Sequence, residues 1–214
     1  MQPKVSILIP CYNQEDVIEQ TVRSALSQTY ENIEIIVSDD ASTDTTPQIL
    51  RDLQNQYPRK VKVFLHTINL GVTKNHTRGL LECTGEFITF LDGDDLFLPE
   101  KVEKQVAFMQ KRLDCTLCYH DVDVFDSDLN TSLYLWSERI GKKVGGIQEL
   151  VRFGNFLPAV SVMVRREDLP VGGYDERIRV YSDWLMWICI LDNGKGKICY
   201  IDTVLARYRR HITN

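Results

Sequence analysis

Phe87-Ile88-Thr89-Phe90-Leu91-Asp92-Gly93-Asp94-Asp95 decides the reading of this chain. Its apolar first half reads as a buried strand, and three carboxylates crowd where that strand ends. Carboxylates there are costly unless a positive group meets them. At the carboxyl end of a strand in an open α/β sheet, that place is where ligands bind. Asp92 and Asp94 lie two apart, so an extended backbone turns both to one face, and Gly93 leaves room for a close ligand. Hard oxygen donors suit Mg²⁺ or Mn²⁺, ions that also hold phosphate oxygens. Read alone, the motif also fits an acidic turn capping a helix opened by Pro99.

Outward from this motif the pattern repeats. Val5-Ser6-Ile7-Leu8-Ile9-Pro10, Ile33-Glu34-Ile35-Ile36-Val37 and Val61-Lys62-Val63-Phe64-Leu65 read as three further buried strands. Between them, Val17, Ile18, Thr21, Val22, Ala25 and Leu26 recur at helical spacing, with Asn13 as the expected cap. Thr46-Pro47 starts a second helix, and a third is expected from about Thr73 to Glu82. Strand alternating with helix predicts a Rossmann-like, mostly parallel sheet with helices on both faces. No Gly-x-Gly-x-x-Gly follows the first strand and no Gly-Lys-Ser/Thr phosphate loop appears, which argues against a dinucleotide dehydrogenase and a P-loop NTPase. Further on, a helix is expected from Pro99 and a strand over Thr116 to Phe125. The stretch from Ser127 to Gly146 reads as loop. Ala159 to Val164 reads as strand, Asp183 to Leu191 as helix, and Lys197 to Ile201 as a short strand.

The 214 residues, with net charge -5, suit one soluble domain and give no sign of a nucleic-acid surface. Six cysteines sit mostly in apolar runs, as reduced buried thiols do. Cys115-x-x-Cys118 has the spacing of a zinc or redox half-site but lacks a second half, so structural burial is the reading preferred. No apolar stretch is long enough for a signal peptide or a membrane span. A cytoplasmic protein is therefore expected, with peripheral membrane contact left open. The chain also stops abruptly after a charged segment, as a catalytic domain excised from a longer chain would.

Seven segments in order resemble family 2 glycosyltransferases, enzymes of the GT-A fold: Val5 to Asn13, Ile36 to Ser42, Asn69-Leu70-Gly71-Val72, Thr84 to Ile88, Leu91 to Asp95, Ser182 to Trp187, and Tyr208-Arg209-Arg210-His211. The resemblance implies a single domain over 1–214, with a nucleotide-sugar half over about 1–98 and an acceptor half over about 99–214. It implies an inverting transfer from a nucleotide-diphosphate sugar, UDP-linked, to an acceptor hydroxyl on a carbohydrate, lipid carrier or protein. Mn²⁺ or Mg²⁺ would be the cofactor. Tyr12 would stack on the base, and Asp40 would accept the imide N–H, as an acceptor-only carboxylate can. Pro10, Glu15, Asp39, Gly93, Lys74 and Asn75 would lie around the nucleotide. The family's usual Ala-Arg-Asn is replaced here by Asn75-His76-Thr77. Asp92 would contact the ribose, Asp94 would ligate the metal with Asp95 in support, and His211 would reach the diphosphate or the metal. Arg207, Arg209 and Arg210 would add positive charge or form a basic surface tail. Asp183 matches the general base, although Ser182 stands where relatives carry Glu. Trp136 and Trp184 are possible acceptor-sugar platforms, while Trp187 reads as core. A lone base without a second carboxylate nucleophile fits direct displacement. The rival readings are a nucleotidyltransferase, which would need a Gly-rich basic loop after the first strand, and a non-catalytic nucleotide-sugar-binding module.

Overall fold

A computed structural model describes residues 2–178 and 180–210. Its first half follows the expected alternation: β1 (Val5–Cys11), α1 (Ile18–Leu26), β2 (Ile33–Asp39), α2 (Thr46–Gln56), β3 (Val61–Leu65), α3 (Val72–Leu81) and β4 (Phe87–Phe90). Then come β5 (Leu96–Phe97), α4 (Lys101–Lys111), β6 (Cys115–Asp126), β7 (Thr131–Leu135), α5 (Trp136–Ile140), α6 (Ile147–Phe153), β8 (Met163–Arg165), α7 (Ser182–Gly194) and β9 (Lys197–Arg210).

All strands join one sheet in the order β3-β2-β1-β4-β8-β6-β9-β5, with β7 paired to β6. The four strands β3-β2-β1-β4 are parallel. Beyond β4 the sheet turns mixed: β8 is antiparallel to both β4 and β6, and β9 runs parallel to β6. Every residue of β1 and β2 is buried, because helices cover both sheet faces and leave no polar side. Val5, Ile7, Ile9, Ile35 and Val37 pack on one face with Ile18, Val22, Leu50, Val102 and Val106 of α1, α2 and α4. Leu8, Ile36, Ile88 and Phe90 pack on the other with Leu80, Leu150, Trp187 and Ile190 of α3, α6 and α7.

Four expectations change. Asn13 does not cap α1: its backbone adopts φ 50°, and its side-chain oxygen accepts from the Thr43 N–H while α1 starts at Ile18. The stretch from Ser127 to Gly146 contains β7 and α5, both too short and too exposed to show a period. Ala159–Ser161 is a 3-10 turn before the short β8, rather than a strand. The final strand extends to Arg210 instead of stopping near Ile201, passing through register shifts against β6 beside His120 and Asp121.

Two buried ionisable groups give stability an acid limb. Glu34 is a buried residue of β2 beside Ser6 of β1, and Lys4 and Lys62 pair with it at 2.7 and 3.0 Å. Burial alone would raise its pKa, but Lys4, Ser6 and Thr84 outweigh burial and hold the carboxyl well below the carboxylate range. His120 is fully buried, and burial together with the Lys101 charge depresses its pKa. The unfolded chain therefore takes up a proton near pH 6.5 that the folded chain refuses, and stability falls below that pH at up to about 1.4 kcal/mol per pH unit. The Glu34 contribution is present above the unfolded carboxyl pKa and is lost only at lower pH. Chemical denaturation between pH 7 and pH 5 should show the histidine limb, and His120→Phe should flatten it; an unchanged slope in the variant would remove His120 as its source.

Candidate active site

The strand order reverses at β1: the chain proceeds outward to β2 and β3, then returns to β4 on the other side. Such a switch point leaves a crevice beyond the strand ends. A cleft of about 240 Å³ opens there, lined by Pro10, Cys11, Tyr12, Gln14, Asp40, Val72, Asn75, His76, Asp92 and Gly93. It brings together six of the residues expected at the nucleotide. Tyr12 is 46% exposed at its rim, an aromatic face left open to a planar ligand.

Asp40 is fixed by the loop opposite: its two carboxylate oxygens accept from the Leu70 and Gly71 N–H groups at 2.6 and 2.9 Å. Gly71 makes this possible with φ 83°, a conformation that favours glycine. Asn75 is buried and clamps the strand ends, donating to the Ser38 and Cys11 carbonyls and accepting from the Ser38 hydroxyl. Three other expected residues face elsewhere. The buried Asp39 accepts from the Ser42 N–H and hydroxyl, so it holds the turn after β2. Glu15 accepts from the Thr45 N–H and hydroxyl, tying the β1–α1 connection to α2. Lys74 pairs with Glu176 at 3.5 Å outside the cleft.

Gly93 is tightly enclosed by side chains. A Cβ there would lie 1.8 Å from Gln14 Oε1 and 2.9 Å from the Cys11 Cβ. Gly93→Ala should displace Gln14 and cost about 1–3 kcal/mol through overpacking. Thermal melts would check this, and adding Gln14→Ala should recover part of the loss; no recovery would place the strain elsewhere.

The acidic corner beside the cleft is held from two directions. The Thr21 hydroxyl of α1 reaches the Gly93 and Asp95 carbonyls. From β9, the Arg209 N–H donates to Asp95 Oδ1 at 2.8 Å, and its guanidinium Nε donates to the Asp94 carbonyl at 2.5 Å. Arg209 is buried, so it is neither a tail nor a surface charge, whereas Arg207 pairs with Asp123. Burial, then the charges of Asp92 and Asp94, push the Asp95 carboxyl well up, and its Oδ2 is buried without a hydrogen-bond partner. Three neighbouring carboxylates, Asp92 and Asp94 half-buried and Asp95 buried, form a donor set of hard oxygens suited to a divalent cation. Among the described residues, no three His, Cys, Asp or Glu side chains could hold a metal by themselves. Phosphate oxygens and water would have to complete its shell, which is common for Mg²⁺. His211 lies outside the described residues.

Asp183 stands in the first turn of α7, where the helix dipole favours a carboxylate. Asn155 Nδ2 donates to its Oδ2 at 2.6 Å. Tyr174 is buried, and its hydroxyl pKa is raised by burial first, then by the charges of Asp92 and Asp183. The Tyr174 ring meets the His76 ring edge-on at 5.3 Å, and His76 Nε2 lies 3.8 Å from Asp92 Oδ1. Trp136 and Trp184 use their indole N–H groups on the Phe156 and Leu150 carbonyls, while Trp187 is core. Gln14, Tyr174, Asn155 and Arg209's grip on the acidic corner were not singled out from sequence; only His76, within the departing Asn75-His76-Thr77, left a visible signal.

A Rossmann-like half carrying an acidic corner at its switch point, continued by a mixed half that supplies one further carboxylate, defines a nucleotide-sugar transferase type of fold. The comparisons agree. Staphylococcus aureus TarS 1-349 in complex with UDP superposes with TM-score 0.76 at 20% identity, over 97% of this chain and 60% of that chain. The Pyrobaculum calidifontis mannosyltransferase PcManGT, in complex with GDP-Man and Mn²⁺, gives 0.72 at 18% identity, over 97% of this chain and 57% of that one. These likenesses establish the GT-A fold. The family model described as Glycosyl transferase family 2 matches residues 6–169, and the chain belongs to that family. Bacillus subtilis TuaG, provisionally named a teichuronic acid biosynthesis glycosyltransferase, is 39% identical over 97% of this chain and 79% of its own length. A Mycobacterium tuberculosis protein is 31% identical over 97% of this chain, which spans 59% of that relative.

Proposed function

We propose that this chain transfers a sugar from a UDP-linked donor to an acceptor hydroxyl, with inversion and with Mn²⁺ or Mg²⁺. The observation that carries the reading is the convergence of Tyr12, Asp40 and Asp92 on one switch-point cleft, with Asp94 following Gly93 of its lining in the chain. Tyr12 stacks on the base and Asp40, already oriented by two backbone N–H groups, accepts the imide N–H with its remaining lone pairs. Asp92 would hold the ribose, and the Asp94 carboxylate would hold the metal. When bound, the metal neutralises charge that develops on the departing diphosphate. Asp183, oriented by Asn155, takes the acceptor's hydroxyl proton. TarS in complex with UDP, and PcManGT in complex with GDP-Man and Mn²⁺, support a nucleotide-diphosphate donor and a metal. Among the described residues no helix is long and apolar enough to cross a membrane.

A donor panel tests the reading. UDP- and GDP-sugars are incubated with Mn²⁺, with and without EDTA, and nucleotide release is measured. Metal-dependent release of UDP from one donor is expected. Tight UDP binding without turnover of any donor would favour a non-catalytic binding module, and pyrophosphate release from an NTP would favour a nucleotidyltransferase.

A further inference from the structure

The surface formed by α5, the 141–146 connection and α6 mixes exposed apolar groups with cations. Ile140, Val144, Val151 and Phe153 are exposed, Val151 by 64% and Phe153 by 49%. Arg139, Lys142, Lys143 and Arg152 stand among them. Lys143 Nζ and the Arg152 guanidinium lie 5.6 and 5.1 Å from the Phe153 ring centroid, so the two kinds of group form one patch. The only acid between residues 139 and 153 is Glu149, whose carboxylate is engaged by the Gly146 N–H. With Glu138 of α5 counted as well, the surface is net +2 in a chain of net -5. Lys142 also pairs with Asp202, an exposed contact that competes weakly with another anion.

We propose that this patch docks the protein on an anionic lipid bilayer. Apolar side chains that sink into the headgroup boundary, ringed by lysine and arginine, match such a surface in both chemistries. A second copy in an isologous contact would set these four cations against the same four, which repels. The patch also adjoins the Asp183 side of the molecule. α6 leads through Gly154 to Asn155, which holds Asp183, and the Trp184 indole donates to the Leu150 carbonyl of α6. Docking there brings Asp183 toward the interface, where an acceptor carried on a lipid would present its hydroxyl. The docking goes beyond the transfer reading and does not depend on it: vesicle binding reports the first, nucleotide release the second.

The test is co-sedimentation of the full chain with phosphatidylcholine vesicles, with and without phosphatidylglycerol, at low and high salt. Binding is expected only with phosphatidylglycerol and should weaken at least tenfold at high salt. K142E/K143E/R152E should weaken it at least tenfold and Phe153→Ser several-fold, with nucleotide release from soluble donor unchanged. Circular dichroism checks folding, and K142Q/R152Q replaces the charge reversal should that variant misfold. Absence of binding, equal binding to pure phosphatidylcholine, undiminished binding by the folded charge variants, or a Phe153-dependent dimer in sedimentation velocity would each overturn the proposal.

Discussion

Asp183→Asn is expected to lower turnover by about a thousandfold while leaving donor affinity within about twofold of the parent chain. The substitution keeps size and position but removes the basic lone pair. Asn155 already presents an N–H to one Asp183 oxygen, and an amide can rotate its own oxygen into that place. Folding and the helix start are therefore preserved, and the loss reads on proton transfer. Steady-state kinetics with a turned-over donor, paired with calorimetric UDP titration, separates the two quantities. Equal activity in the variant would remove Asp183 as base, and a matched loss of UDP affinity would make it a donor contact instead.

Asp94→Ala is expected to weaken UDP binding in Mn²⁺ by about tenfold to a hundredfold and to leave the weaker metal-free binding unchanged, because few protein ligands are available to replace it. The corner around Asp94 is otherwise structural. Asp95 accepts from the Arg209 backbone, and Thr21 holds the Gly93 and Asp95 carbonyls. Removing the Asp94 carboxylate leaves these contacts standing, so the metal-dependent part of UDP binding is the quantity to read. Titrations with UDP, with and without Mn²⁺, measure the difference directly; an unchanged metal effect would refute Asp94 as a ligand.

The parallel half was legible because β1, β2 and β4 are buried on both faces and so read as mostly apolar runs, interrupted by Ser6, Glu34 and Thr89 alone before Pro10, Ser38 and Asp92. The cleft followed from those ends. Direction of the side chains did not: Asp39 and Asp40 are neighbours of identical chemistry, yet one turns to Ser42 and the other to the cleft wall. Nothing local distinguishes them. Glu15 and Gln14 present the same problem, resolved by Thr45 capturing the glutamate. The second half was harder because its signals are tertiary. β7 is stabilised by pairing with β6 rather than by its own pattern, and β9 continues past Asp202 only because β6 beside it accommodates shifted register.

That last pairing bears on how the protein is made. Arg209 reaches back over more than a hundred residues to bind the backbone and carboxylate at Asp94 and Asp95. A nascent chain that has emitted only the parallel layers carries three aspartates without their arginine, and contacts of such long sequence separation form slowly. The order of the acidic corner therefore depends on a strand that emerges more than a hundred residues after it, so the crevice can take shape before its carboxylates are pinned.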